Sequence, residues 1–177
     1  MTTPTQPLPR GIKNHNPLNI RIHPANPWQG RVDPAQNTDG AFEQFTDAVW
    51  GIRAGARNII FHYDRNGADT IRKLVTLWAP PSENDTSGYV RYVSGSSGFQ
   101  PDQELDFHKH EYLKPVLVAM IRIENGQQPY TDAQIDAALV RAGVLPPERS
   151  LAETRTVKGG QAAAAGTVGA AVGEALR

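Results

Sequence analysis

An apolar helical stripe that ends in a single acid restricts the fold of this chain more than any other feature. Apolar residues recur at spacings of three and four along the stripe, at Leu113, Val116, Leu117, Met120, Ile121 and Ile123. This spacing predicts a helix packed on a core. Asn125-Gly126 supplies the stop signal, since both residue types tolerate the left-handed conformation that ends helices. The sequence therefore places Glu124 at the exit of a buried helix.

Glu124 is our candidate general acid. A carboxylic acid at the inner end of an apolar helix is the arrangement that retains a proton toward neutral pH and delivers it to a leaving oxygen. The alternative interpretation is a solvent-facing glutamate near a helix end.

Four further helices are predicted from apolar spacing and capping residues. They cover residues 47–66, residues 70–78, a segment from Asn84-Asp85-Thr86 through Val93, and residues 131–142, which open with a capping-box pattern. Residues 11–45 are rich in Asn, Pro and Gly, and hold only two short candidate strands, at 18–22 and 41–45. The predicted fold class is therefore mainly α (α+β), with a small β and loop-rich part.

The length predicts one domain with two tails. A chain of 177 residues suits a single core. We expect a flexible tail at 1–10, a domain at 11–145, and a linker with a Gly/Ala-rich tail at 146–177. The last segment contains few large apolar groups and is too weakly hydrophobic to span a bilayer, so membrane contact through it is an open question.

Composition excludes several kinds of chemistry. Without cysteine there are no disulfides, thiolate nucleophiles or Cys-ligated zinc. Balanced charge, 18 basic against 18 acidic residues, argues against nucleic acid as a partner. His108-Lys109-His110-Glu111 lacks a third ligand at a recognisable spacing, so we expect a polar helix start, no metal and no cofactor. Residues 1–10 lack the apolar run of a secretory signal, which predicts synthesis in the cytoplasm.

Several motifs together resemble a known group of proteins. They are residues 10–21 (RGIKNHNPLNIR), 28–30 (WQG), 42–45 (FEQF), 50–54 (WGIRA) and 78–86 (WAPPSENDT). This set, which spans residues 10–143, resembles phage and prophage proteins labelled virion structural proteins or endolysins. The resemblance implies a lysozyme-like helical domain that acts on the bacterial cell wall, after release from the cell or as part of a virion.

A second, weaker resemblance suggests a mechanism. In flagellar-type glucosaminidases and soluble lytic transglycosylases, a helix ending in a catalytic Glu, often within Glu-Ser-Gly, precedes an Asn-rich segment. Here residues 16–21 and 28–30 are similar to that later segment, and Glu124-Asn125-Gly126 is similar to the Glu-Ser-Gly element. The order would then be circularly permuted, which the usual proximity of domain termini allows. This predicts contact between Glu124 and the segment 16–28.

The implied reaction is cleavage of the β-1,4 bond between N-acetylmuramic acid and N-acetylglucosamine, with Glu124 protonating the glycosidic oxygen. A hydrolase would need a second carboxylate, for which the candidates are Asp85, Glu83 and Glu43. A lytic transglycosylase needs none, and the sequence does not choose between the two.

Aromatic rings and side-chain amides suit the faces and N-acetyl groups of sugars. The candidates for contact with the glycan strand are Asn16, Asn19, Trp28, Gln29, Asn84, Tyr89 and Tyr130. Asn16 and Asn19 could instead cap turns. The Ser/Gly-rich segment 94–98 could form a lid.

Two other functions remain compatible with the sequence. The first is a virion protein that binds glycan or other virion proteins without cleaving, with Glu124 as an ordinary surface acid. The second is a binding module for a host protein, which would require an exposed apolar patch in place of an acid-bearing cleft.

Overall fold

A computed structural model describes residues 7–147, which form six α-helices and one short 3₁₀ turn at Pro34–Gln36. The helices are α1 (Arg10–Lys13), α2 (Ala48–Asn66), α3 (Ile71–Trp78), α4 (Thr86–Ser97), α5 (His110–Asn125) and α6 (Asp132–Arg141). The mainly α fold class is confirmed. Of the tails expected at 1–10 and 146–177, residues 1–6 and 148–177 lie outside the described part of the chain.

Capping side chains fix where the longer helices begin. Side-chain oxygens accept hydrogen bonds from first-turn N–H groups at Asp47, Thr70, Asp85 and Thr131. Thr131 and Gln134 form the reciprocal capping box that the sequence indicated. At the other end of α5, Gly126 takes the left-handed conformation with φ of 67°. These local signals explain why α2, α3, α4 and α6 begin within a residue or two of the expected positions.

The loop-rich first third contains no extended strands in its described part. Pairing is limited to two isolated antiparallel bridges, Arg21 with Phe42 and Arg31 with Phe45. The two predicted strands are therefore wrong. The side chain of Asn16 gives one reason, because its Oδ1 accepts from the N–H of Ile20, a group that a longer ladder would use. Helix α1 was not predicted from the sequence, because its four residues are too few to form an apolar stripe.

The predicted lid is also wrong. Residues Ser94–Ser97 form the last turn of α4, and the Ser94 hydroxyl donates to the carbonyl of Phe99. A Ser/Gly-rich segment is flexible only when its backbone N–H and C=O groups lack hydrogen-bond partners. Here these groups are hydrogen-bonded within α4.

Helix α5 is the centre of the packing. Its buried face includes Leu113, Val116, Leu117, Met120 and Ile121, all fully enclosed. Helices α1, α2, α4 and α6 pack against it. A second, smaller cluster of Ile20, Phe45 and Ala54, with Trp28 and Trp50 packed on it, underlies the loop-rich segment. Within residues 7–147, no helix is long and apolar enough to cross a bilayer.

Candidate functional site

Glu124 lies in the last turn of α5, where side chains from two distant segments hold its carboxyl group. The hydroxyl of Tyr89 on α4 donates to Oε1 at 2.8 Å. The amide Nδ2 of Asn19 donates to Oε2 at 2.9 Å, across 105 positions of the chain. Glu124 itself is partly buried. The helix-end acid thus contacts the segment 16–28, as the permuted order requires.

Tyr89 remains a protonated hydroxyl in this setting. Burial is the larger cause and the neighbouring charge of Glu124 the smaller, and together they raise the pKa of Tyr89 far above its ordinary value. A tyrosine hydroxyl can donate to a carboxylate or accept from a carboxylic acid. The Tyr89 hydroxyl therefore helps to orient the Glu124 carboxyl group.

Asn19 has an unusual backbone. Its φ of 49° lies in the left-handed region, which Asn visits more readily than most side chains but which is still sparsely populated. Strained backbone of this kind concentrates at functional positions. Here the strained conformation accompanies the placement of the Asn19 amide on Glu124.

A close approach of α1 supports this arrangement from behind. A Cβ atom on Gly11 would lie 2.5 Å from Oδ1 of Asn125 and 3.0 Å from Oδ1 of Asn19. Both amide oxygens are buried and accept no hydrogen bond within residues 7–147. The amide nitrogen of Asn125 binds the carbonyls of Pro17 and Ile121, at 2.7 and 2.8 Å. Only a glycine lets α1 pack this close.

An ion pair fastens α1 to the loop-rich segment. Arg10 binds Asp39 through two nitrogens, at 2.7 and 2.8 Å, and Asn14 donates to the same carboxylate at 2.7 Å. The Arg10 guanidinium holds the pKa of Asp39 well below its usual range, while burial opposes that shift. The Asp39 carboxylate contributes to folding stability above its unfolded pKa of about 4. This contribution is lost only as the pH falls through the lower pKa of the folded state. The attachment of α1 therefore persists at neutral pH.

A cleft of about 280 Å³ opens beside Asn19. Its walls come from the loop-rich segment, from α2 and from the end of α3, and include Asn19, Arg21, Trp28, Asn58, His62 and Trp78. Among residues 7–147, no acidic residue lines it. Burial lowers the pKa of His62, so its imidazole is neutral at pH 7. The cleft thus combines aromatic surface, side-chain amides and one guanidinium.

The chain is similar to a known phage protein. It is 37% identical over 126 residues to Protein P5 of Pseudoalteromonas phage PM2, a match that covers 71% of this chain and 77% of the phage protein. The chain belongs to the family of this phage protein. No family model matches the sequence. The name of the relative states no activity, so a function for this phage-type protein has to be argued from the geometry.

Two of the expected sugar-contact residues of this phage-family chain border the cleft. Asn19 and Trp28 line it, and the buried Nε1 of Trp28 has no acceptor within residues 7–147. Gln29, next in the chain, is exposed. Tyr89 contacts Glu124, as described above. Tyr130 packs on the main core, and burial raises the pKa of its hydroxyl to about 12.

The expected role of Asn16 in substrate contact is corrected by its burial. Its side chain is fully enclosed. Its Oδ1 accepts from the N–H of Ile20, and its Nδ2 donates to the carbonyls of Ile20 and Glu43. The amide is thus occupied by backbone, and Asn16 shapes the segment that carries Asn19.

The candidates on the α3–α4 loop lie at a separate cavity. Asn84 and Asp85 line a space of about 290 Å³ between α3 and α4. The Asp85 carboxylate caps α4 by accepting from the N–H of Gly88 at 2.9 Å. Glu83 is exposed on the same loop. Capping accounts for Asp85, while Asn84 and Glu83 remain accessible.

Glu43 is a buried acid with incomplete bonding. Only 3% of its surface is exposed, and its Oε1 has no hydrogen-bond donor in the described part of the chain. The nearest cation is Nη1 of Arg31, at 3.9 Å. Burial raises the pKa of Glu43 and the charge of Arg31 partly opposes this. Burial therefore penalises the charged form of this carboxyl group, and the charge of Arg31 offsets part of that penalty.

The Glu43→Gln variant is expected to gain stability with rising pH relative to the wild type. Because the pKa of Glu43 is raised in the folded state, its contribution to folding stability is fully present below its unfolded pKa of about 4.5. That contribution is lost as the pH rises through the folded-state pKa. Glutamine does not ionise and escapes this loss. Denaturant unfolding at pH 4 and pH 7.5 measures the difference. Exposed Glu83→Gln is the control, and an equal Glu43→Gln effect at both pH values would contradict the assignment.

Four polar residues of the cleft were not expected from the sequence: Arg21, Asn26, Asn58 and His62. Asn58 and His62 interrupt the apolar pattern of α2, which is the only sign that could have drawn attention to them. The paired histidines of the sequence contact acids: His108 contacts Asp64 at 2.7 Å and His110 contacts Asp136 at 2.8 Å. No group of three His, Asp or Glu side chains suited to a metal ion occurs within residues 7–147.

Proposed function

We propose that this protein cleaves the β-1,4 bond between N-acetylmuramic acid and N-acetylglucosamine in peptidoglycan, with Glu124 as the general acid. The contact between Glu124 and Asn19 carries the proposal. It joins a helix-end acid to the Asn-rich segment and to a cleft lined by aromatic rings and amides. Clefts with a few convergent polar groups are the usual form of small-ligand sites.

The reaction begins with proton transfer. Glu124 gives its proton to the glycosidic oxygen, the bond from that oxygen to C1 breaks, and positive charge develops at C1 and the ring oxygen. The carboxylate left on Glu124 keeps its two donors, Tyr89 and Asn19. These neutral groups orient the carboxyl and hold it in one place, which proton transfer requires.

A single carboxylate suffices for one of the two ways to finish. The 6-hydroxyl of the same muramic acid can attack C1 and return its proton to Glu124, which leaves a 1,6-anhydro ring. Alternatively water attacks C1, aided by a second carboxylate. The side-chain donors to Glu124 are both neutral. Asp85 caps α4, and Glu43 is buried with Arg31 as its nearest cation. We therefore favour the route that uses Glu124 alone.

The proposed partner is the glycan strand of the cell wall, reached either by a lysin released from the cell or by an enzyme carried in the virion. Trp28 and Trp78 offer apolar faces to sugar rings, and Asn58 offers an amide to N-acetyl groups.

Purified peptidoglycan incubated with the full chain tests the proposal. We expect soluble fragments, and mass analysis of their muramic acid ends distinguishes the routes: anhydro ends support the single-carboxylate route, and reducing ends support attack by water. Heat-denatured protein is the control. If intact protein releases nothing but still sediments with the wall material, the chain is a glycan-binding virion protein and the proposed cleavage is wrong.

A further inference from the structure

Arg21 is the charged group of the cleft. It lines the wall next to Ile20, and its guanidinium carbon lies 5.1 Å from the centre of the Phe42 ring. Arg10 lies over the same ring at 4.4 Å, but it is bound to Asp39. Arg21 forms no ion pair within residues 7–147, although its stacking on Phe42 limits where its guanidinium can lie.

The surroundings of Arg21 favour an anion. The residues that line the cleft include no aspartate or glutamate. His62 contributes no charge at neutral pH because its burial favours the neutral imidazole. The net charge of the whole chain is zero, so attraction to an anionic polymer has to come from a local feature of this kind. Arg21 supplies it beside Asn19, the residue that holds Glu124.

We propose that the cleft contains a carboxylate-binding subsite in which Arg21 pairs with an acidic group of the peptidoglycan repeat. This rests on the proposed function, and specifies which feature of the substrate the chain selects. A guanidinium donates two parallel hydrogen bonds to a carboxylate, a geometry that distinguishes acidic from neutral sugars. Two parts of the repeat carry a carboxylate: the peptide stem, and the lactyl group of muramic acid where that stem has been removed.

A carboxylate bound at Arg21 would fix the direction in which the glycan strand lies in the cleft. A carboxylate fixed at Arg21 would lie in the cleft that Asn19 also lines, and Asn19 donates to Glu124. The muramic acid unit that bears the acidic group is thereby distinguished from the neutral unit that follows it. We therefore expect the protein to cleave the glycosidic bond on only one side of muramic acid.

Binding measurements in a Glu124→Gln background test the subsite without cleavage. The ligands are chitotetraose, which has no carboxylate, peptide-free glycan fragments, which carry the lactyl carboxylate, and muropeptide fragments, which carry the stem. We expect Arg21→Gln to weaken binding of the carboxylated ligands by about tenfold and to leave chitotetraose unchanged. Exposed Arg91 on α4 provides the matched control, Arg91→Gln, with no expected effect.

The pattern of losses decides the assignment. Weaker binding of muropeptides alone identifies the stem as the source, and weaker binding of peptide-free fragments alone identifies the lactyl group. Equal weakening of both shows that the subsite accepts either carboxylate. The subsite is overturned if Arg21→Gln has no effect, or if it weakens chitotetraose equally. Failure of the proposed cleavage is recognised separately, because the unsubstituted chain would then release no fragments while these binding comparisons could still be made.

Discussion

Replacing Glu124 by Gln is expected to reduce peptidoglycan cleavage by about 10²- to 10⁴-fold, the usual contribution of a positioned general acid. Glutamine has nearly the same shape and retains an oxygen that accepts from Asn19. Its NH₂ group can donate to the Tyr89 hydroxyl, which then acts as the acceptor. The fold and the binding of glycan should therefore survive while proton transfer is lost. Release of soluble fragments from purified peptidoglycan measures the effect.

Glu111→Gln is the matched control for this substitution. Glu111 lies on the same helix, in its first turn, and is exposed. The same chemical change there should leave cleavage within about twofold, since surface substitutions rarely change stability by more than about 0.5 kcal/mol. Equal cleavage by wild type and Glu124→Gln would exclude Glu124 and move the search for the acid to Glu43, Glu83 and Asp85.

Replacing Gly11 by Ala is expected to destabilise the fold by about 1–3 kcal/mol, the usual penalty for an extra methyl group in a packed contact. The added Cβ would press on the side-chain oxygens of Asn125 and Asn19. Any relief requires α1 to withdraw or the Asn19 amide to move away from Glu124. We therefore expect cleavage to fall as well, although Gly11 touches neither substrate nor Glu124. Denaturant unfolding and fragment release measure the two effects.

Gly95→Ala provides the opposite case. Gly95 lies inside α4, is exposed, and has open space where a Cβ would be built. Alanine there should stabilise the fold by about 0.5–1 kcal/mol through helix propensity alone. If Gly11→Ala shifted stability in the same direction and by the same amount as Gly95→Ala, the close packing of α1 would not hold in solution.

Local signals carried most of what the sequence could predict. Helix α2 was recognisable from Asp47, its apolar spacing and Gly67, and α6 from its capping box, because these features act within a few residues of one another. The mainly α class follows from them. The strands near Ile20 and Phe42 were overestimated, because alternation does not reveal that a side chain such as Asn16 will take the backbone groups of a ladder.

The site was harder to predict, because it depends on contacts between distant segments. The resemblance suggested that Glu124 and the segment near Asn19 should meet, but nothing local identifies the hydroxyl of Tyr89 as the second donor. No sequence pattern predicts that Arg21 lines the cleft. Its proposed role rests on the lack of acids among the described residues that line the cleft, which is a property of the folded surface and not of any stretch of sequence.

The separation of Asn19 and Glu124 along the chain also has a kinetic meaning. Contacts between residues more than 100 positions apart close late, because the entropy of a long loop must be overcome before they contribute. A nascent chain that ends before α5 has neither the acid nor the helix that supports it. A nascent chain that ends before α5 is complete therefore cannot hold this carboxyl between Tyr89 and Asn19.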